Sequence, residues 1–199
     1  MTHTFWVQDN HNQQLKSHPK SIRLRYALVV AYLKNRQPKK ALHRLARLMK
    51  EHPDETLFEI SKSRAYQLEN RLNKALIVLK NLHHYEPDNE AVLVVYAKTL
   101  MQANQNKKAL SILWPLRHDF KNHIAFVKTL YQAQAKTGHL KQLYLTRAQL
   151  FALLNHYKAS IAQLHRALAL EKNKALQRTI RRKIKAYEAE DETLERFSI

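Results

Sequence analysis

The stretch KKALHRLARL, residues 39–48, is the first of three copies of one pattern in this chain. The other copies are NKALIVLKNL at 73–82 and KKALSILWPL at 107–116. The shared alanine recurs every 34 residues, at Ala41, Ala75 and Ala109. Apolar residues fall at every third or fourth position of each copy, which is the period of a helix with one buried face. The sequence therefore predicts one such helix in every 34 residues.

A second stretch with helical periodicity precedes each copy. These stretches are IRLRYALVVAYLKN at 22–35, TLFEISKSRAYQLEN at 56–70 and EAVLVVYAKTLMQAN at 90–104. Prolines separate one pair of stretches from the next, because proline cannot continue a helix. They are Pro19, Pro53 and Pro87, again 34 residues apart. Each unit is thus predicted to be a pair of antiparallel helices, and the unit repeats along the chain.

The composition favours an all-helical chain and excludes several kinds of site. Gly138 is the only glycine among 199 residues, whereas tight hairpins in sheets normally need more. The absence of cysteine excludes disulfides, thiolate metal sites and cysteine nucleophiles. The longest apolar run, at 26–33, is far shorter than the ~18 residues needed to span a membrane. The net charge of +19 favours an acidic partner: an acidic protein surface, nucleic acid or anionic lipid.

The helix pairs resemble the tetratricopeptide repeat (TPR). Three residue types of the second helix carry the likeness: a small residue, two large apolar residues and a closing proline. In the first repeat they are Ala41, Leu45, Leu48 and Pro53, and in the second Ala75, Leu79, Leu82 and Pro87. The resemblance implies an all-α TPR α-solenoid, a right-handed superhelix of antiparallel helix pairs. The repeats are then 22–55, 56–89 and 90–123.

The third repeat departs from this pattern at two positions. Lys121 replaces the closing proline, and we expect the 34-residue period to slip there. Pro115 falls inside the predicted second helix and is expected to kink it, because proline removes one backbone hydrogen bond.

The rest of the chain is predicted to complete and cap the solenoid. Within 124–170 the periodicity indicates three helices, at 124–137, 140–154 and 157–170, with Gly138 ending the first. Ser160 lies 51 residues, a period and a half, after Ala109, so the middle helix is expected to serve both neighbours. Residues 172–199 are predicted to form a long C-terminal capping helix and tail, and residues 1–20 a half-repeat at the other end. The whole chain, 1–199, is then a single TPR domain.

The second half also resembles the C-terminal TPR region of BepA-like periplasmic zinc metalloproteases. RAQLFALLN, SIAQLHRALAL and QRTIRRKI stand in the places of that family's successive helices, although Asn155 replaces its preferred glycine. The resemblance implies an accessory domain that contacts a protease module and the outer-membrane assembly machinery. The zinc signature H-E-x-x-H is absent, so we expect no cofactor in this chain, and zinc only in an upstream protease domain. The resemblance also implies a periplasmic location; otherwise, lacking a signal peptide, the chain is expected in the cytoplasm.

A groove along the first helices is the predicted binding site. TPR proteins contact ligands through fixed positions of these helices, which here carry basic and apolar side chains and no acid. The predicted groove residues are Arg23, Tyr26, Lys34, Arg64, Gln67, Lys98, Gln102 and Lys128. This pattern predicts an acidic or C-terminal peptide of a partner protein as the ligand.

A secondary basic face is predicted near the C-terminus. Its residues share one face of the last helix: Arg178, Arg181, Arg182 and Lys185. This face is suited either to phosphates, as in a nucleic-acid-binding repeat, or to pairing with nearby acids. The aromatic residues do not alternate with basic ones as stacking platforms do, which argues against nucleic acid as the partner. Nucleic acid is therefore only the alternative.

No arrangement of residues indicates catalysis. Of the 12 histidines, the neighbours His83 and His84 point about 100° apart on a helix and cannot share a metal. Other histidines occur singly near helix ends: His52, His118, His123, His139 and His156. No phosphate-binding glycine loop is present, and no nucleophile lies beside a base. The sequence therefore predicts a non-catalytic protein-interaction scaffold. The alternatives are a nucleic-acid-binding repeat and a stand-alone cytosolic TPR adaptor.

Overall fold

In the computed structural model, which describes residues 17–197, the chain folds into helices joined by turns, and this range contains no strand. The all-α prediction is confirmed. Residues 1–16 of the predicted N-terminal half-repeat lie outside the described range. The helices are α1 (Ile22–Lys34), α2 (Pro38–Glu51), α3 (Thr56–Leu68), α4 (Leu72–Tyr85), α5 (Glu90–Gln102), α6 (Asn106–Leu113), α7 (Ile124–Thr137), α8 (Leu140–Leu153), α9 (Tyr157–Leu170) and α10 (Lys174–Phe197).

The chain divides into two compact units, one ending at Ala103 and one beginning at Asn104. In the first unit each helix from α1 to α5 packs against the next, and α3 also contacts α1 and α5. In the second unit α6 to α10 likewise pack in order along the chain. Each unit is therefore a stack of neighbouring helices, as a solenoid of helix pairs requires.

A left-handed backbone residue stands in the turn after each first helix of a pair. The residues are Arg36, Asn70, Asn104 and Gly138, with φ of 53°, 58°, 58° and 76°. They lie 34 residues apart. In the second of these turns the amide of Arg71 donates to the carbonyl of Tyr66 at 2.8 Å, which ends α3. Glycine and asparagine tolerate this conformation, whereas arginine is strained in it.

The 34-residue period extends one helix pair further than the sequence suggested. First helices begin at residues 22, 56, 90 and 124, and second helices at residues 38, 72, 106 and 140. The expected slip at Lys121 is therefore wrong: α6 ends early, and the longer connection to α7 restores the register. The slip comes after α8, where Asn155 (φ 58°) forms a left-handed turn a period and a half after Asn104. As the half-period offset predicted, α8 follows α7 in one pair and precedes α9 in the next.

The repeated spacing of small and large apolar side chains builds the core of each unit. Ala41, Ala75 and Ala109 are fully buried, which allows the two helices of a pair to approach closely. In the first unit Leu28, Leu45 and Phe58 form one buried cluster, and Ile60, Leu79 and Val92 form the next. In the second unit Ile180 and Ile184 of α10 are buried against Ala148, Leu164 and Ala167. The last helix thus covers the apolar end of the stack, as a capping helix should.

Pro115 ends a helix and does not kink one. The expectation of a kinked second helix is wrong, because α6 stops at Leu113 and Pro115–Arg117 forms a 3-10 turn. Proline has no N–H to donate to the carbonyl four residues earlier, so the helical ladder ends before it. The result is an irregular segment, residues 114–123, in place of the second half of a helix.

We predict opposite stability changes at two left-handed positions. Replacing Arg36 with asparagine should stabilise the protein by about 0.5–1 kcal/mol, because asparagine adopts the left-handed conformation more readily. Replacing Gly138 with alanine should destabilise it by about 1 kcal/mol through the backbone alone, since a Cβ there would meet no atom within 4 Å. Urea unfolding measures both changes. A Gly138→Ala variant as stable as the parent would contradict the assignment of a strained turn.

A second prediction concerns Gln134, whose side chain is fully buried and whose two amide atoms have no hydrogen-bond partner among residues 17–197. The same repeat position holds Leu100, which is 2% exposed. An unsatisfied buried amide costs about 1–3 kcal/mol, so Gln134→Leu should raise the free energy of unfolding by about 1–2 kcal/mol. Gln102→Leu, at an exposed position, is the control and should give no such gain. A destabilised Gln134→Leu variant would show that the amide has an energetic role.

Candidate functional site

Two of the predicted groove residues hold neighbouring first helices together. The hydroxyl of Tyr26 on α1 lies 2.9 Å from Ser61 Oγ and 3.3 Å from the Leu57 carbonyl, both on α3. Gln67 Nε2 on α3 donates to Thr99 Oγ1 on α5 at 2.7 Å. Both side chains are half-buried, and the Tyr26 hydroxyl and the Gln67 amide nitrogen are engaged in these contacts. They therefore position the groove and present little of themselves to a ligand.

The other predicted groove residues are exposed. Arg23, Lys34 and Arg64 have no carboxylate within 4.0 Å among residues 17–197. Leu57 and Leu68 lie on α3 together with Arg64, and they are 52% and 42% exposed. Lys98 and Gln102 on α5 are also exposed, as is Lys128, which belongs to α7 in the second unit. In the first unit the structure thus presents basic and apolar side chains on the three first helices, which we call the first-helix face.

The secondary basic face lies on the exposed side of α10. Its members are Arg178, Arg181, Arg182 and Lys185. The opposite side of the helix carries Ile180 and Ile184, which are buried. None of the four cations has a carboxylate within 4.0 Å in the described part of the chain. The acids of α10 pair elsewhere: Glu195 lies 2.6 Å from Lys158.

The second unit contains a pocket that sequence reasoning missed. It has a volume of about 600 Å³ and lies between the irregular segment 114–123 and helices α7 to α10. We call it the loop pocket. Its lining residues are Trp114, Arg117, His118, Lys121, Asn122, Val127, Leu130, Gln142, Leu145, Thr146, Ala148, Gln149, Ala152, Leu153, Tyr157, Leu164, Lys183 and Tyr187. The volume lies within the range of ordinary ligand pockets.

Several contacts fix the irregular segment over this pocket. Arg117 stacks on the Trp114 ring at 4.3 Å and donates from Nη1 to the Trp114 carbonyl at 2.8 Å. Gln149 Nε2 on α8 donates to the carbonyl of Lys121. The rings of Phe120 and Phe126 lie 5.0 Å apart and join the segment to α7. The pocket wall is therefore held in place before any ligand binds.

The charge on the pocket lining has one sign. Arg117, Lys121 and Lys183 are cationic, and no aspartate or glutamate of residues 17–197 lines the pocket. Lys121 and Lys183 have no carboxylate within 4.0 Å in the range 17–197. Cations that lack an internal partner are available to an anionic ligand.

The floor of the pocket is apolar. Val127, Leu130 and Leu164 contribute it and are at most 4% exposed. At the edge the rings of Tyr157 and Tyr187 lie 5.6 Å apart. Burial, with a smaller contribution from Tyr157, raises the pKa of Tyr187, so its hydroxyl stays protonated and can donate. The pocket thus combines an apolar floor with cationic and hydrogen-bonding walls.

Two features of the sequence indicated an irregularity in segment 114–123, but they did not predict a pocket there. Trp114 and Pro115 interrupt a helix, and Lys121 replaces an expected proline. Neither feature shows that Lys183, far along the chain, lies at the same pocket. Only packing of α10 against α8 and α9 brings it there.

The described residues contain neither a metal cluster nor a membrane-spanning helix. No three histidine, aspartate or glutamate side chains in 17–197 converge as metal ligands. In the same range, every helix is too short or too polar to cross a bilayer.

Comparison with known proteins supports the repeat. A model of the tetratricopeptide repeat family matches residues 67–132, which is less than half of the chain. No match was found among curated proteins.

Several solved structures are similar. A tetratricopeptide repeat protein from Parabacteroides merdae is 12% identical with a TM-score of 0.57, and the match covers 92% of this chain and 77% of that one. A thermophilic TPR protein from Thermus thermophilus is 18% identical with a TM-score of 0.49, over 90% and 88% of the two chains. The APC/C hetero-tetramer Cut9–Hcn1 contains a chain with 13% identity and a TM-score of 0.44, of which the match covers 47%, against 95% of this chain. The first of these likenesses supports the fold.

Proposed function

Because this chain contains tetratricopeptide repeats, we propose that it is a non-catalytic scaffold that binds an acidic segment of a partner protein in the loop pocket. TPR folds generally mediate protein–protein interaction, and the comparisons support that general role. The observation that carries the specific proposal is the charge of the loop pocket: three cations and no acid surround an apolar floor.

The geometry suits a short peptide with both acidic and apolar side chains. Lys121 in the irregular segment and Lys183 on α10 offer ammonium groups to carboxylates of the peptide. Arg117 offers a guanidinium group on the pocket wall. An apolar side chain of the peptide would fill the floor above Leu130 and Leu164. Charge-assisted hydrogen bonds are roughly twice as strong as neutral ones, so carboxylates give orientation while the floor supplies apolar burial.

The first-helix face is a second candidate for the same function. It carries Arg23, Lys34, Arg64 and Lys98 beside the exposed Leu57 and Leu68. Tyr26 and Gln67 fix the spacing of the helices that bear them. An extended acidic segment lying across the three first helices would use both kinds of contact.

The finer assignment to a BepA-like envelope protease stays a proposal that rests on sequence resemblance alone. The family model identifies repeats, and no curated protein matches. An H-E-x-x-H domain in the same reading frame upstream of residue 1 would support the accessory-domain role and a periplasmic location. Purified protein that contains stoichiometric zinc would contradict the expectation that this chain holds no cofactor.

The loop pocket gives a charge-reversal prediction. Lys121→Glu combined with Lys183→Glu should weaken binding of a labelled peptide that alternates glutamate with leucine by about tenfold or more. Lys108→Glu is the matched control, because Lys108 is exposed on α6 and does not line the pocket. Fluorescence anisotropy measures the affinities. Equal losses in the pocket variant and the control would indicate a general charge effect and contradict the pocket.

The first-helix face has its own test with the same peptide. Arg64→Glu combined with Lys98→Glu should weaken binding by about tenfold if the peptide lies on α3 and α5. Lys80→Glu on α4 is the control, since Lys80 is exposed on a second helix. Unchanged binding in the Arg64 and Lys98 variant would remove the first-helix face as the site.

The salt dependence of binding helps to distinguish a nucleic-acid ligand from an acidic protein ligand. For a nucleic-acid-binding repeat, the logarithm of the binding constant for a labelled single strand would fall linearly with the logarithm of salt concentration. Tighter binding to that strand than to the acidic peptide at physiological salt would favour the alternative function.

A further inference from the structure

The exposed flank of α10 carries a stripe made only of charged residues. Its members are Arg178, Arg181, Lys185, Glu188, Glu192 and Glu195. Successive members are three or four residues apart, which places them along one line of the helix surface. All six are exposed. The stripe therefore runs from entirely basic to entirely acidic along one helix.

This order is opposite to the one that the helix itself favours. The N-terminal end of a helix is electropositive and the C-terminal end electronegative, so cations are stabilised near the C-terminus and anions near the N-terminus. In the stripe the cations come first and the acids last. The helix dipole therefore does not explain this charge order.

Contacts within the chain use only part of the stripe. Glu195 pairs with Lys158 of α9 at 2.6 Å, and Glu192 lies 4.0 Å from Arg196 of its own helix. The basic half has no carboxylate within 4.0 Å anywhere in residues 17–197. The glutamates at 188, 192 and 195 remain exposed to solvent despite these pairs.

The stripe is complementary to itself when a second copy runs antiparallel. Stripe positions at equal distances on either side of the point between Ala186 and Tyr187 carry opposite charges. In that register three pairs of opposite charge face each other: Arg178 with Glu195, Arg181 with Glu192, and Lys185 with Glu188. A two-fold axis repeats each pair, so every charge of the stripe meets its opposite. Antiparallel helices also align their dipoles favourably.

We propose that α10 is a self-association surface, through which two copies of this chain pair antiparallel about the point between Ala186 and Tyr187. The stripe is about 26 Å long, and all six of its members are exposed while Ile180 and Ile184 anchor the helix to α8 and α9. Exposed ion pairs are individually weak, so the dimer is weak and favoured by low ionic strength. The proposal does not depend on peptide binding in the loop pocket.

Charge exchange tests the pairing directly. By sedimentation velocity over a concentration series at low salt, the parent should dimerise and the dimer should dissociate as salt rises. Arg181→Glu alone and Glu192→Arg alone should each weaken the dimer by about tenfold, because each creates two repulsive pairs. The double variant Arg181→Glu/Glu192→Arg should restore the parent's association. Lys80→Glu is the control and should leave it unchanged.

The register is tested by distance, because the cysteine-free chain accepts a single spin label at any chosen residue. Labels at Ala189 in two copies should lie about 8 Å apart along the helix axis, and labels at Ala175 about 35 Å apart. A parallel pair would give short separations at both positions.

Three outcomes would overturn the proposal. They are a monomer at all concentrations, a dimer that the double variant does not restore, and a short distance at Ala175. A monomer whose binding to a nucleic-acid strand is lost in Arg181→Glu would assign the basic half to phosphates instead.

Discussion

The turn between the two helices of each pair requires a residue in the left-handed conformation, and the regularity of the stack depends on it. Arg36, Asn70, Asn104 and Gly138 provide that residue at intervals of 34. The turn fixes where the first helix ends and where the second begins, and thereby which faces meet. The buried alanines Ala41, Ala75 and Ala109 follow the first three turns at a constant distance, so close packing and turn geometry repeat together.

The same constraint explains how the period changes in the second unit. Asn155 forms a left-handed turn where a proline-type connection would otherwise occur, so α8 and α9 form a pair half a period early. The terminal helix α10 then packs on α8 and α9 through Ile180 and Ile184. Its position leaves one flank charged and exposed, and it also brings Lys183 and Tyr187 to the loop pocket. One asparagine turn thus contributes to the loop pocket and to the charged flank of α10.

Departures from the repeat coincide with the candidate binding features. Pro115 stops α6 after eight residues, and the segment that follows forms a wall of the loop pocket. Gln134 occupies a core position that Leu100 fills in the preceding repeat, and its amide has no partner. At these two departures from the repeat pattern, the fold has a pocket in one case and an unsatisfied buried amide in the other.

The sequence by itself determined the helices, their pairing and the repeat length. Apolar periodicity and the spacing of alanine and proline report local geometry, which each 34-residue segment carries within itself. The sequence also indicated exposed cations such as Arg64 and Arg181. Only the tertiary structure decided that Tyr26 and Gln67 bridge helices, and that Lys121 and Lys183 share a pocket. Those relations join residues that are distant in the chain, and they depend on how whole helices pack, which no local pattern specifies.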